Sequence, residues 1–112
     1  MTDPLDPSAV VTGFGGDAAL ARQAATAFLQ ESPRLLARID GALVAKDASA
    51  LAAAAHALKS AVGNFPVPAA VEAAQRLEDR GRRQDLRGVE VDRAALEQTL
   101  APLTVALTLL AR

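Results

Sequence analysis

The sequence predicts an all-α fold: an up-and-down four-helix bundle led by a short N-terminal helix, in a single domain over residues 1–112. Three observations predict it. Apolar residues recur at helical spacing along most of the chain. Asp and Pro residues stand where one periodic stretch gives way to the next. No segment reads as a strand. A chain of 112 residues suits one domain with a real but modest core. Hydrophobic residues make up 51% of it, but many are Ala, so the core needs closely approaching helices rather than large side chains.

The leading helix opens at Asp6-Pro7, with Asp6 as N-cap and Pro7 in the first helical position. Thr12-Gly13-Phe14-Gly15-Gly16 follows. No Lys-Ser/Thr comes after it and no strand precedes it, so both nucleotide-binding glycine patterns fail. It reads as a flexible turn, with Phe14 tucked into the core and Asp17 capping the next helix. That helix runs to about Ala45, with Leu20, Ala24, Ala27, Phe28, Leu35, Ile39 and Leu43 in helical period. Pro33 predicts a kink, or two helices meeting at Ser32, and the phase retained across it favours one long kinked helix. Asp47 caps a helix from about Ala48 to Asn64, which Phe65-Pro66-Val67-Pro68 ends. Pro68 opens the next, to about Arg80, burying Val71, Ala74 and Leu77. From Gly81 to about Val91 a charged connection is expected. Between Arg76 and Arg93, six Arg stand against five acidic residues, which marks a solvated stretch rather than a polyanion site. Asp92 is expected to cap the last helix. There Leu96, Leu100, Leu103, Leu107 and Leu110 form a heptad-like seam, interrupted by Pro102, that packs a bundle.

The third long stretch carries the single histidine of the chain. At ~100° per residue, Leu51, Ala55, Leu58, Val62 and Phe65 lie within ~40° of one direction, and His56 lies ~140° away. Lys59 is on the same side, about one turn later. The helical neighbours of His56 are Ser49, Ala52, Ala53, Ser60 and Gly63, all small. The imidazole is therefore expected to project from a nearly bare helix face with one ammonium group beside it. No acidic partner is predicted to orient it.

Composition excludes several function classes. Without Cys there is no disulfide, thiol nucleophile or thiolate metal site. A net charge of -1 and the absence of Trp and Tyr argue against nucleic acid as a partner. No apolar run reaches membrane-spanning length. Met1-Thr2-Asp3-Pro4 lacks the basic and apolar regions of a signal peptide, so a cytoplasmic location is expected. A metal site on His56 would need ligands that its face lacks, and no nucleophile turn of a hydrolase is visible. No metal and no cofactor are expected on the chain, and it is expected to be a monomer.

One chemistry needs only an exposed imidazole. A neutral His has a free ring-nitrogen lone pair that can attack a phosphoryl group presented by another protein. Small neighbours let that protein dock closely, and Lys59 offsets the phosphoryl charge. The acidic pocket and its Mg²⁺ can then belong to the partner. Ala55-His56-Ala57-Leu58-Lys59-Ser60, then Asn64-Phe65, then Leu77-Glu78, resembles the signature of histidine phosphotransfer (HPt) domains of bacterial two-component phosphorelays. Leu5-Asp6, Gly15-Gly16-Asp17, Phe28-Leu29, Pro33 and Asp47 extend the resemblance, which covers roughly residues 4–80.

The resemblance implies that His56 is the phospho-acceptor and that Lys59 steadies the phosphoryl group. It implies receiver domains of response regulators, or of a hybrid sensor histidine kinase, as partners, and no kinase activity of the chain itself. Ser49, Ala52, Ala53, Ser60 and Gly63 are the candidate docking residues. Ser60 and Pro66 stand where the family has Gly. Ser is small enough for close approach, whereas Pro cannot take a positive φ, so the turn after the His helix must differ. An alternative reading is a non-phosphorylated helical module that binds and inhibits a receiver or kinase. It has no need of His56 or Lys59. A stand-alone enzyme would need partners around His56 that the sequence does not supply.

Overall fold

Helix caps and turns place five helices in the computed structural model, which describes residues 4–112. The reading of the signal-peptide region rests partly on residues 1–3, which lie outside the described residues. Helix α1 spans Pro7–Gly13, α2 Ala18–Ala45, α3 Ala48–Val62, α4 Pro68–Arg83 and α5 Val89–Leu110. No strand occurs among the described residues. The three Asp caps act as expected: Asp6 accepts from the Ser8 amide at 2.9 Å, Asp17 from Leu20 at 3.0 Å and Asp47 from Ala50 at 3.0 Å. Each satisfies an amide that the helix itself leaves unpaired.

The chain is all-helical, and its helices pack as a bundle. Helix α3 packs on α4 most extensively and on α2, α4 also packs on α5, and α5 returns to α2. Helix α1 lies against α5 and α2. Ile39, Leu51, Leu58, Leu77, Leu96, Leu103 and Leu107 are fully buried at the centre. Each contributes about 2 kcal/mol by leaving water. The three Phe side chains stack at one end: Phe65 meets Phe28 edge-on at 5.3 Å and Phe14 at 5.9 Å.

Several sequence expectations are corrected. Helix α2 is one helix through Pro33, the favoured of the two expected arrangements, and not two helices meeting at Ser32. Its buried stripe is Ala21, Ala25, Phe28, Ser32, Leu35, Ile39 and Ala42, while Leu20 and Ala27 are exposed. Measured from Phe28, those two lie ~80° and ~100° off the stripe, so period alone put them on the wrong flank. Helix α4 does not stop at Arg80. It runs to Arg83, with Gly81 buried inside it. Asp92 is not a cap. Gly88, at φ 69°, caps α5, and Asp92 lies in its first turn, paired with Arg80 of α4. Helix α5 continues through Pro102 with its Leu seam inward, except for half-buried Leu110.

Pro66 fits its turn without strain. Among the described residues the left-handed positions are Gly15, Gly16, Lys46, Gln84 and Gly88, none of them between α3 and α4. The α3 helix ends at Gly63 in right-handed geometry, and the Phe65 amide bonds back to the Val62 carbonyl at 3.0 Å. Nothing in that turn requires a positive φ, so Pro is tolerated.

Candidate functional site

The site forms where α3 and α4 run antiparallel in close contact, a pairing that begins with Gly81. A Cβ built there would lie 2.6 Å from the Ala48 carbonyl oxygen, 2.6 Å from the Ala52 amide nitrogen and 2.8 Å from the Ala52 Cβ. Only glycine lets the two backbones meet at that distance. One turn earlier on α4, Glu78 then lies opposite His56. One further turn earlier, Gln75 lies opposite Lys59.

His56 projects outward as the helical angle requires, with its side chain 57% exposed. Its surroundings differ from the expectation of an unpartnered imidazole. The Nδ1 atom lies 3.1 Å from Oε1 of Glu78, whose side chain is only 1% exposed. Lys59 is not a free ammonium beside the ring. Its Nζ lies 2.8 Å from the same Glu78 Oε1 and donates to Gln75 Oε1 at 2.8 Å. Gln75 in turn donates to Asp79 at 2.8 Å. On the far side, Arg82 forms an ion pair with Glu78 Oε2, an atom that accepts no well-angled hydrogen bond.

Glu78 is thus a buried carboxylate held by three groups. The Lys59 hydrogen bond holds its carboxyl below the ordinary value, opposed by burial and aided by His56 and Arg82. At neutral pH it is ionised and can only accept. Nδ1 of His56 is therefore the donor in that contact, and a neutral ring so held carries its lone pair on Nε2. Among the described residues no three His, Asp or Glu side chains converge as a metal site would require.

The depressed value has a consequence for stability. A group whose folded pKa is lowered adds stability that is fully present above its ordinary value, here 4.5, and lost as pH falls through the folded value. The urea midpoint of the native chain is expected to fall with acidification below about pH 4.5 more steeply than that of Glu78→Gln. Parallel acid profiles of the two proteins would show that Glu78 does not couple to folding.

Among the expected docking residues, Ser49, Ala53, Ser60 and Gly63 are exposed on α3. Ala52 is half-buried because it faces Gly81, and its small size serves the helix contact. Sequence reasoning missed Glu78 and Arg82 as parts of the site. Glu78 stood in the quoted motif without a role, and Arg82 was placed in a charged connection. Their i, i+4 spacing was the available signal, once α4 is known to extend past Gly81.

Among the described residues, no helix is long and apolar enough to cross a membrane. Neither the curated proteins nor the solved structures contain a significant match to the chain. The family model described as "Hpt domain" matches residues 23–105. That span takes in α3, α4, and the whole His56–Glu78–Lys59 cluster, and by it the chain belongs to the Hpt domain family.

Proposed function

We propose that His56 is the phospho-acceptor of this Hpt domain. It takes a phosphoryl group from a receiver-domain phosphoaspartate and passes it to another receiver in a two-component phosphorelay. Hpt domains are phosphotransfer modules of such relays, which supports the reading at the level of the family. The observation that carries it to a residue is the 3.1 Å contact between His56 Nδ1 and the buried Glu78 carboxylate. That contact supports a proton on Nδ1, which makes Nε2 the nucleophile of the exposed ring in this reading.

In the transfer, the Nε2 lone pair attacks phosphorus. The Nε2–P bond forms, the P–O bond to the receiver's aspartate breaks, and its electron pair leaves with the carboxylate. Lys59, 24% exposed, is one Coulombic partner for the phosphoryl oxygens. The acidic pocket and its Mg²⁺ belong to the receiver, so the chain has no kinase activity of its own. Ser49, Ala53, Ser60 and Gly63 keep the face around His56 low enough for docking. We read residues 1–112 as one monomeric, cytoplasmic domain whose α2–α5 form an up-and-down four-helix bundle.

Incubation with a receiver carrying labelled phosphoaspartate is expected to move label onto the chain as an acid-labile, alkali-stable adduct. Label that never leaves the receiver, or that forms an acid-stable adduct, would contradict the reading.

A further inference from the structure

Neutral hydrogen-bond acceptors would suffice to orient the His56 ring, yet the group behind it is a buried charge. Glu78 is 1% exposed, faces Nδ1 at 3.1 Å, and is bracketed by Lys59 at 2.8 Å and by Arg82. The charged groups that meet it come from α3 (His56 and Lys59) and from its own helix (Arg82), with Asp79 reached through Gln75. The ion pairs contributed by α2 and α5 to other helices, Asp40 with Arg93 and Asp92 with Arg80, lie outside this cluster.

Phosphorylation changes what that charge does. Once Nε2 bears phosphorus and Nδ1 keeps its proton, the ring carries a positive charge. In onward transfer a carboxylate oxygen attacks phosphorus, the Nε2–P bond breaks, and its electron pair returns to Nε2. With the Nδ1 proton in place, the leaving group is a neutral imidazole. If Nδ1 has lost that proton, the same cleavage must expel an imidazolate anion, a much poorer leaving group. An adjacent anion favours the protonated ring. Lys59 and Arg82 keep Glu78 ionised, so it holds the proton on Nδ1 instead of removing it.

We infer that Glu78 is a positioning residue that retains the Nδ1 proton on phosphorylated His56, and so keeps the phosphoryl group transferable into the alkaline range. This rests on the reading of His56 as the phospho-acceptor.

The test loads the full chain with phosphoramidate, a small-molecule donor that releases ammonia as the Nε2–P bond forms. The ³¹P resonance of the phosphohistidine is then followed against pH in the native chain, in the native chain unfolded in urea, and in Glu78→Gln. Its inflection is expected at least one pH unit higher in the folded native chain than in either comparison. Loss of the phosphoryl group to water at about pH 9 is expected about tenfold faster in the native chain than in Glu78→Gln, with the two converging near about pH 6. A merely structural role would shift the rates equally at every pH. Coincident inflections in the folded and unfolded native chain overturn the inference, even if Glu78→Gln does not fold. Failure of the native chain to form any phosphohistidine overturns the reading of His56 instead.

Discussion

Replacing Gly81 by Ala is expected to destabilise the chain by on the order of 3 kcal/mol. On helix propensity alone the change would stabilise α4 by about 1 kcal/mol, because Gly is the poorer helix former. Contact decides the sign. The added methyl would meet the Ala48 carbonyl and the Ala52 amide at 2.6 Å, and both are backbone atoms of α3 that no side-chain rotation can move. The two helices must separate, and α3 against α4 is the most extensive interface of the bundle. Separation also draws Glu78, one turn from Gly81, away from His56, so the variant is expected to lose control of the Nδ1 proton as well. Urea unfolding followed by circular dichroism checks the first effect. A midpoint equal to or above that of the native chain would mean that the helices are not held at this distance.

His56→Gln is expected to lower phosphoryl acceptance below detection while changing stability by no more than about 0.5 kcal/mol. The two expectations come from different observations. The ring is largely exposed, so little packing is lost. The Gln amide can still donate to Glu78, which spares the buried carboxylate an unmatched contact. No nucleophilic nitrogen remains, because the amide lone pair is delocalised. Label transfer from a phosphorylated receiver, with helicity recorded on the same sample, checks both. Full labelling of a folded His56→Gln protein would place the acceptor elsewhere.

Much of the fold was legible in the sequence because it depends on neighbours close in the chain. Asp6, Asp17 and Asp47 cap helices through amides two or three residues on, and Pro68 opens α4 through its own fixed φ. The buried stripe of α3, and hence the outward direction of His56, followed from the helical period. Features that depend on two helices were not legible. Gly81 looks like a helix terminator in one dimension and becomes a contact point only against Ala48 and Ala52. Glu78 is 22 residues beyond His56, and only the antiparallel packing of α3 and α4 sets it beside the ring, with Arg82 paired to its far oxygen. Asp92 had the residue type of a cap but was drawn to Arg80 on α4, leaving Gly88 to begin α5. Local rules therefore turned His56 outward, and tertiary packing supplied the buried carboxylate that faces its ring.

The most direct measurement is the position of phosphorus on the ring. The ¹⁵N-labelled chain is phosphorylated with phosphoramidate and observed by long-range ¹H–¹⁵N NMR with ³¹P coupling. The phosphorus is expected on Nε2 of His56, with Nδ1 protonated both before and after loading. Phosphorus on Nδ1, or on any other residue, would contradict the assignment of Glu78 as the group that reserves Nε2 for transfer.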